Sequence, residues 1–328
     1  MTFGSDISGK TFCFYGMDPI VILAQSVDEK QIPVQVILSE ISGNTVLEES
    51  YFFGFDDRIS IDIKDVLEGM FSHVVPQKCD FLTSDDLSVD LVLTASCAVS
   101  EDEEQNLSAE FTVLGMDSMT SVRTSDIDML RIPRDYILPL AVFDSGQRSG
   151  VEFVTTYRRY PKADWLPTTG TGRDMVSAFV DLSDYPSDLL RFFRVEYSGT
   201  QPVLATPQFR MCPGHFEQYL FANRYGGYDN IAMDGKLEYA LETEHETGIY
   251  EGKLHGIGSS AEDSYLQYSG YVSGKTVQAM KNLVCSSQIY HYENGLFRQI
   301  LITESDISGS SDDMLHSFSF RYRYAGQQ

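Results

Sequence analysis

Phe318-Ser319-Phe320-Arg321-Tyr322-Arg323-Tyr324 decides the fold class of this chain. Four aromatic side chains alternate with small or charged ones, so a pleated strand puts every ring on one face and every polar group on the other. A helix would scatter the same rings around its circumference. Working outward, the same period of two returns where Leu237, Tyr239 and Leu241 alternate with Glu238, Ala240 and Glu242.

Shorter runs of strand character fill the first half of the chain, at 12–15, 20–24, 34–38, 46–53, 59–63, 89–99 and 107–114. Turn-rich pieces such as Ser42-Gly43-Asn44 and Phe55-Asp56-Asp57 separate them. Two helical interruptions are expected. Val66, Leu67, Met70 and Phe71 share one helical face after Asp65, a candidate N-cap. Ser273 can cap a second helix, with Val277, Met280, Lys281 and Val284 spaced by three and four. Composition agrees: 19 Tyr and 20 Phe stand against one Trp, and aromatic residues favour half-buried sheets. The expectation is a mostly β protein of two or three β-sandwich-like modules with a few short helices.

At 328 residues the chain exceeds what one core organises comfortably. Charge marks a boundary. Residues 1–130 carry 24 acids and 6 bases, whereas residues 131–328 carry 24 and 18. The modules expected are an acidic one over 1–131, a second over 132–212, and a mostly-β module with one packed helix over 213–328. An internal echo links the first two. Pro33 heads one strand and Pro139 another, and each is followed by a Ser-Gly turn and an Asp-x-x-Asp corner, at Asp62/Asp65 and Asp181/Asp184. Two copies of one sandwich design would produce it.

The net charge of −24 excludes broad classes of function. A nucleic-acid binder needs a basic stripe to displace counterions, and an anionic membrane face repels an acidic protein. No apolar run approaches the ~20 residues of a membrane span. The start, Met1-Thr-Phe-Gly-Ser-Asp, lacks a basic stretch followed by an apolar one, so no secretory signal is read. The five cysteines form no Cys-x-x-Cys pair, which fits free thiols in a reducing compartment. Cytoplasmic synthesis is expected, with later residence in a particle.

Catalytic motifs are approached and missed. His245-Glu246 wants a second His at the position held by Ile249, so no zinc-binding helix face forms. Gly170-Thr-Gly172-Arg173 lacks the Lys-Ser/Thr of a phosphate loop. Gly270-Tyr-Val-Ser273-Gly274 carries its Ser one position late for a nucleophile elbow. The six histidines do not cluster with ligand spacing. No catalytic residue, metal or cofactor is expected. The best binding candidate from residue types is a loop at 157–165, where Tyr157, Arg158, Arg159, Tyr160 and Trp165 gather the side chains that anchor interfaces.

The distinctive string is Asn223-Arg224-Tyr225-Gly226-Gly227-Tyr228-Asp229 after the strand-like stretch Phe216-Glu-Gln-Tyr-Leu-Phe-Ala222. Met280-Lys281-Asn282-Leu283, Ser286-Ser287-Gln-Ile-Tyr290 and Arg298-Gln-Ile-Leu-Ile-Thr-Glu304 follow it in order. Over residues 213–328 this succession resembles phage- and prophage-encoded structural proteins of gut bacteria. The resemblance implies a non-enzymatic tail or virion-associated component that assembles with other particle proteins and with itself. It carries no catalytic residues. The residues themselves allow a plainer reading of the string. Gly226 and Gly227 permit positive φ or close backbone approach, while Asn223 and Asp229 can hold a tight structural turn. A carbohydrate- or protein-binding β-sandwich module is the alternative function.

Overall fold

The computed structural model describes residues 1–25, 32–67, 70–71, 82–100, 103–116, 122–123, 129–143, 149–155, 159–166, 174–186, 191, 193–198, 203–205, 208–250, 253–308 and 316–326. Strands dominate it.

The first module contains β1 (Thr2–Phe3), β2 (Thr11–Cys13), β3 (Ile20–Leu23), β4 (Val34–Glu40), β5 (Thr45–Tyr51), β6 (Arg58–Ile61), a short helix α1 (Lys64–Leu67), β7 (Leu82–Asp86), β8 (Ser88–Ser100) and β9 (Glu103–Leu114). One sheet runs β2-β9-β8-β4-β5 and the facing sheet runs β1-β3-β6. Val34, Val36 and Leu38 of β4 and Leu91, Leu93 and Ala95 of β8 point inward, where they meet Ile20, Ile22, Ile59 and Ile61. Alternate residues of β4 turn away from this core, so period-two patterning sets the register.

The second module contains β10 (Val122–Arg123), β11 (Met129–Ile132), β12 (Ile137–Phe143), β13 (Ser149–Val154), β14 (Arg159–Leu166), β15 (Asp174–Asp181), a 3-10 turn (Leu182–Asp184), β16 (Phe193–Ser198), β17 (Val203–Ala205) and β18 (Gln208–Met211). Its larger sheet runs β11-β18-β16-β13-β14, and β12 pairs with β15 in the facing sheet. The short β10 and β17 pair in parallel.

The two modules share one strand order. In each larger sheet the first pair is parallel, β2 with β9 and β11 with β18, and the other pairs are antiparallel. In each facing sheet the strand before the first hairpin pairs with the strand that exits into a helical turn, β3 with β6 and β12 with β15. This is the order of an immunoglobulin-type sandwich. Among the described residues no disulfide joins the two sheets.

The internal repeat therefore holds in topology, but the register expected from proline does not. Pro33 precedes β4, whereas Pro139 lies within β12, whose counterpart is β3. Proline aligned strands from opposite sheets because it is tolerated both before a strand and within an edge strand. The Asp corners are equivalent. Asp62 Oδ1 accepts the Lys64 N–H at 3.1 Å, and Asp181 Oδ1 accepts the Ser183 N–H at 2.8 Å. Asp62, not the expected Asp65, thus satisfies the first free amide of α1. The expected boundary at 131/132 also shifts, since it would cut β11, all of which pairs with β18. Strand β7 leaves the first module's sheets and pairs with β15 of the second.

The third module contains β19 (Glu217–Ala222), β20 (Tyr228–Met233), β21 (Leu237–Tyr250), β22 (Lys253–Val272), helix α2 (Gly274–Cys285), β23 (Ile289–Glu293), β24 (Leu296–Ser308) and β25 (His316–Tyr324). These strands form one antiparallel sheet in the order β20-β19-β23-β24-β25-β22-β21. Phe318, Phe320, Tyr322 and Tyr324 of β25 are all buried, and α2 lies over β24 and β25 through Ala279, Met280 and Leu283. Ser273 Oγ caps α2 by accepting the Thr276 N–H at 3.3 Å.

The second and third modules are not beads on a string. One core runs through both, from Leu130, Tyr136, Leu138 and Phe209 to Tyr219, Ile231, Met233 and Phe320. A buried polar seam crosses it. Gln218 Oε1 accepts the Ile137 N–H at 2.9 Å, and Gln218 Nε2 donates to the Asp135 carbonyl at 3.0 Å. Asn230 Nδ2 donates to the Ile137 carbonyl at 2.7 Å and to Gln218 Oε1 at 3.1 Å, while the Tyr136 hydroxyl donates to the Asn230 carbonyl. Both backbone groups of Ile137 are therefore satisfied by third-module side chains. Replacing Gln218 by Leu strands the buried Ile137 N–H and removes the partner of the Asp135 carbonyl, and should destabilise the protein by about 1–3 kcal/mol. Chemical denaturation of the variant tests this, and a loss below about 0.5 kcal/mol would show that the seam contributes nothing.

Candidate interaction surfaces

The turn at 223–227 uses two glycines for different reasons. Asn223 Oδ1 accepts the Tyr225 N–H at 3.0 Å and the Gly227 N–H at 3.2 Å, which folds the chain back on itself. Gly226 adopts φ +86, a left-handed conformation that suits a residue without Cβ. Gly227 is required by proximity. A Cβ placed there would lie 2.5 Å from the Ala141 Cβ of the second module. Asp229 is not in the turn; it is buried on β20, opposite Phe221. Burial first, and then the charge of Asp229, push the Tyr136 hydroxyl well above its ordinary range. The turn thus closes the seam between modules.

The expected loop at 157–165 is, over Arg159–Leu166, an edge strand. Arg159 and Tyr160 stand opposite Val154 and Phe153 of β13, and Trp165 lies near the far end of the same strand. Tyr157 and Arg158 lie outside the described residues. The Arg-Tyr-Pro-Lys segment resembled a loop because Pro161 has no N–H, yet an edge strand accommodates proline on its unpaired side. His245 and His255 stand on β21 and β22, opposite Ser259 and Gly248. The Gly170-Thr-Gly172-Arg173 segment lies outside the described residues.

A buried hydrogen-bond relay lies under the third sheet. The Glu217 carboxylate accepts from His291 Nε2 at 2.7 Å and meets the exposed His215 at 2.9 Å. His291 Nδ1 is 2.7 Å from the Tyr324 hydroxyl, and its ring stacks between Tyr219 and Tyr324. The Arg298 guanidinium lies 3.7 Å over the Tyr324 ring and donates to Glu293 at 3.0 Å. The bond from His291 holds Glu217 below the usual carboxylate range despite its burial. Burial, with help from Glu293, pushes Tyr324 up to about 12. The signs follow directly. Stabilisation from ionised Glu217 is present above the ordinary carboxylate pKa and is lost as pH falls through its lower folded value. Stabilisation from neutral Tyr324 is present below about 10 and is lost as pH rises towards 12. In denaturant midpoints measured across pH, His291→Gln should flatten the acid limb and Tyr324→Phe the alkaline limb. Unchanged limbs in both variants would exclude the relay as a source of stability.

Two surface features carry no sequence motif. The first is a cleft of about 350 Å³ between the second and third modules. Leu130, Phe216 and Met280 form its buried floor, and Tyr271, 76% exposed, stands at its rim. A bulge in β22 between Tyr268 and Tyr271, with Gly270 at φ +71, turns Tyr271 outward. Arg131 Nη1 meets Asp234 Oδ2 at 2.9 Å across the mouth. The second feature is the turn after β5. Gly54 N–H donates to the Arg58 carbonyl at 3.0 Å and Asp57 N–H to the Gly54 carbonyl at 3.1 Å, fixing a turn from which Phe55 projects fully exposed and Phe52 65% exposed. Tyr51-Phe52-Phe53-Gly54-Phe55 breaks the period of two, and that break was the available sequence signal.

No protein-family model matches the chain, and no characterised protein matches it in sequence. Among solved structures, it is similar to a chain of the Dpr2 Ig1-Ig2 complex with DIP-Theta Ig1-Ig3, at 7% identity and TM-score 0.21, with 99% of this chain and 90% of that one covered. It is also similar to the Bacteroides ovatus mixed-linkage glucan utilization protein SGBP-B bound to a heptasaccharide, at 6% identity and TM-score 0.19, covering 96% and 73%. The PcdhgB3 EC1-4 structure gives 11% identity and TM-score 0.17, covering 99% and 67%. At such values these likenesses carry no argument about function. No described helix is long and apolar enough to cross a membrane.

Proposed function

We propose that this chain is a non-enzymatic structural component of a tailed-phage or prophage particle, a tail or virion-associated protein that acts through protein–protein assembly. The observation that carries the reading is that a continuous core and a hydrogen-bonded seam fuse the second and third modules while large apolar side chains remain exposed on fixed elements. Phe52, Phe55, Tyr239, Leu241 and Tyr271 are all largely in solvent. Rigid elements carrying exposed aromatic side chains suit docking, because little further ordering is lost on contact. The resemblance over 213–328 supplies the particle context. Its partners on this reading are other particle proteins and further copies of the chain, with no nucleic acid or membrane involved.

The cleft favours a second reading, a carbohydrate- or protein-binding module, because apolar clefts between modules with a few polar groups at the mouth commonly hold ligands. The two readings separate by experiment. Antibodies raised against the chain should label purified particles from the producing bacterium. Replacing Trp165 and Tyr160 together by Ala should reduce incorporation into them without lowering the thermal unfolding temperature. Particles that lack the chain, together with selective binding of a glycan by the isolated protein, would shift the assignment to the second reading. Stoichiometric zinc retained after dialysis would overturn the non-enzymatic assignment.

A further inference from the structure

We propose that the chain associates with itself head to tail, the aromatic turn after β5 of one copy docking in the cleft between the second and third modules of the next. This rests on the assembly reading and names one of its contacts. Phe55 is fully exposed on a turn fixed by two backbone hydrogen bonds, so it reaches out as a preformed knob. A Phe side chain left in water forgoes the favourable burial of its ring, and Phe52 beside it adds to that. The cleft offers the complementary shape. Its floor of Leu130, Phe216 and Met280 is apolar, and its volume of about 350 Å³ accommodates a phenyl group.

Charge gives the pairing its direction. Asp56 and Asp57 follow Phe55 in the turn and Glu48 and Glu49 stand on the adjoining strand β5, against Arg58, which lies 3.9 Å from Asp56. Arg131 lines the cleft and pairs with Asp234, and Arg210, its register partner in the parallel pair of β11 and β18, stands exposed on the neighbouring strand. Knob and cleft are different surfaces of one molecule, so their contact is heterologous. Repetition then yields a ring or a filament rather than a two-fold dimer. Long-range repulsion between chains of net charge −24 opposes approach, and physiological salt screens it beyond about 8 Å while leaving close contacts intact.

Sedimentation velocity of the full chain in physiological salt tests the contact. The wild type should sediment faster as its concentration rises. Phe55→Asp should weaken association by about tenfold or more, as removal of an interface anchor does. Thr276→Trp, which fills the cleft wall, should do the same. Mixed in equal amounts, the two variants should form one-to-one dimers and nothing larger, because each retains one working half. Arg210→Glu replaces the cleft variant if thermal unfolding shows that Thr276→Trp misfolds. A wild type monomeric up to its solubility limit overturns the proposal, as does a Phe55→Asp chain that associates like wild type, or a folded pair that fails to complement. A chain monomeric alone yet present in particles overturns this contact and leaves the assembly reading standing. Head-to-tail association by a chain absent from particles does the reverse.

Discussion

The hydrogen bonds that third-module side chains make to Ile137 are the constraint on which the arrangement of the second and third modules depends. Ile137 begins β12, and its backbone N–H and C=O are fully buried at the junction of two sheets. Leaving either group unpaired costs about 1–3 kcal/mol, a large fraction of a typical net stability. Gln218 and Asn230 satisfy both at once, and they do so from neighbouring strands whose own register is fixed by pairing. Position is therefore transmitted from one module to the next by directional bonds, while Tyr219, Phe221 and Ile231 contribute undirected burial around them. Gly227 is a consequence of the same proximity, since the Ala141 side chain occupies the space that a larger residue would need.

The first junction uses a different device. Strand β7 belongs in sequence to the first module but completes the second module's facing sheet against β15. In the first module the equivalent strand, β6, is entered by the tight turn that presents Phe55, and β6 pairs only with β3 among the described residues. Two copies of one strand order have thus diverged at one edge. The second uses it to receive a neighbouring strand, whereas in the first the chain folds into an exposed aromatic turn. A small apolar contact of Leu87, Leu114, Met116 and Ala141 accompanies the strand exchange.

Strands were legible in the sequence wherever one face was buried and the other wet, because period-two patterning records that asymmetry directly. Strand β25 is the clearest case. The capping of α2 by Ser273 was equally legible, since the cap acts within four residues. Relations between distant strands were not. The Asp62 and Asp181 corners could be matched because the local bond that makes them recurs, but proline misaligned β4 with β12 because its backbone restriction does not specify a sheet. The segment at 159–166 failed for a related reason: residue types that favour interfaces and loops are also admitted on a sheet edge. The cleft was invisible, as Leu130, Phe216 and Met280 come from three separated segments and each follows ordinary core patterning.

The acidity of the first module and its exposed aromatic turn serve opposing ends. A fully exposed Phe invites indiscriminate contact, and carboxylates beside it restrict which surfaces can approach. Apolar burial supplies attraction without direction, so the discrimination has to come from charge. A partner pocket with an acidic or neutral mouth would desolvate the carboxylates of Asp56 and Asp57 without adding a cation, at a cost that offsets the burial of the ring. A pocket with guanidinium groups at its mouth meets both requirements. On our proposal Arg131 at the cleft, with Arg210 on the strand beside it, serves that role, on modules far less negative than the one that carries the knob.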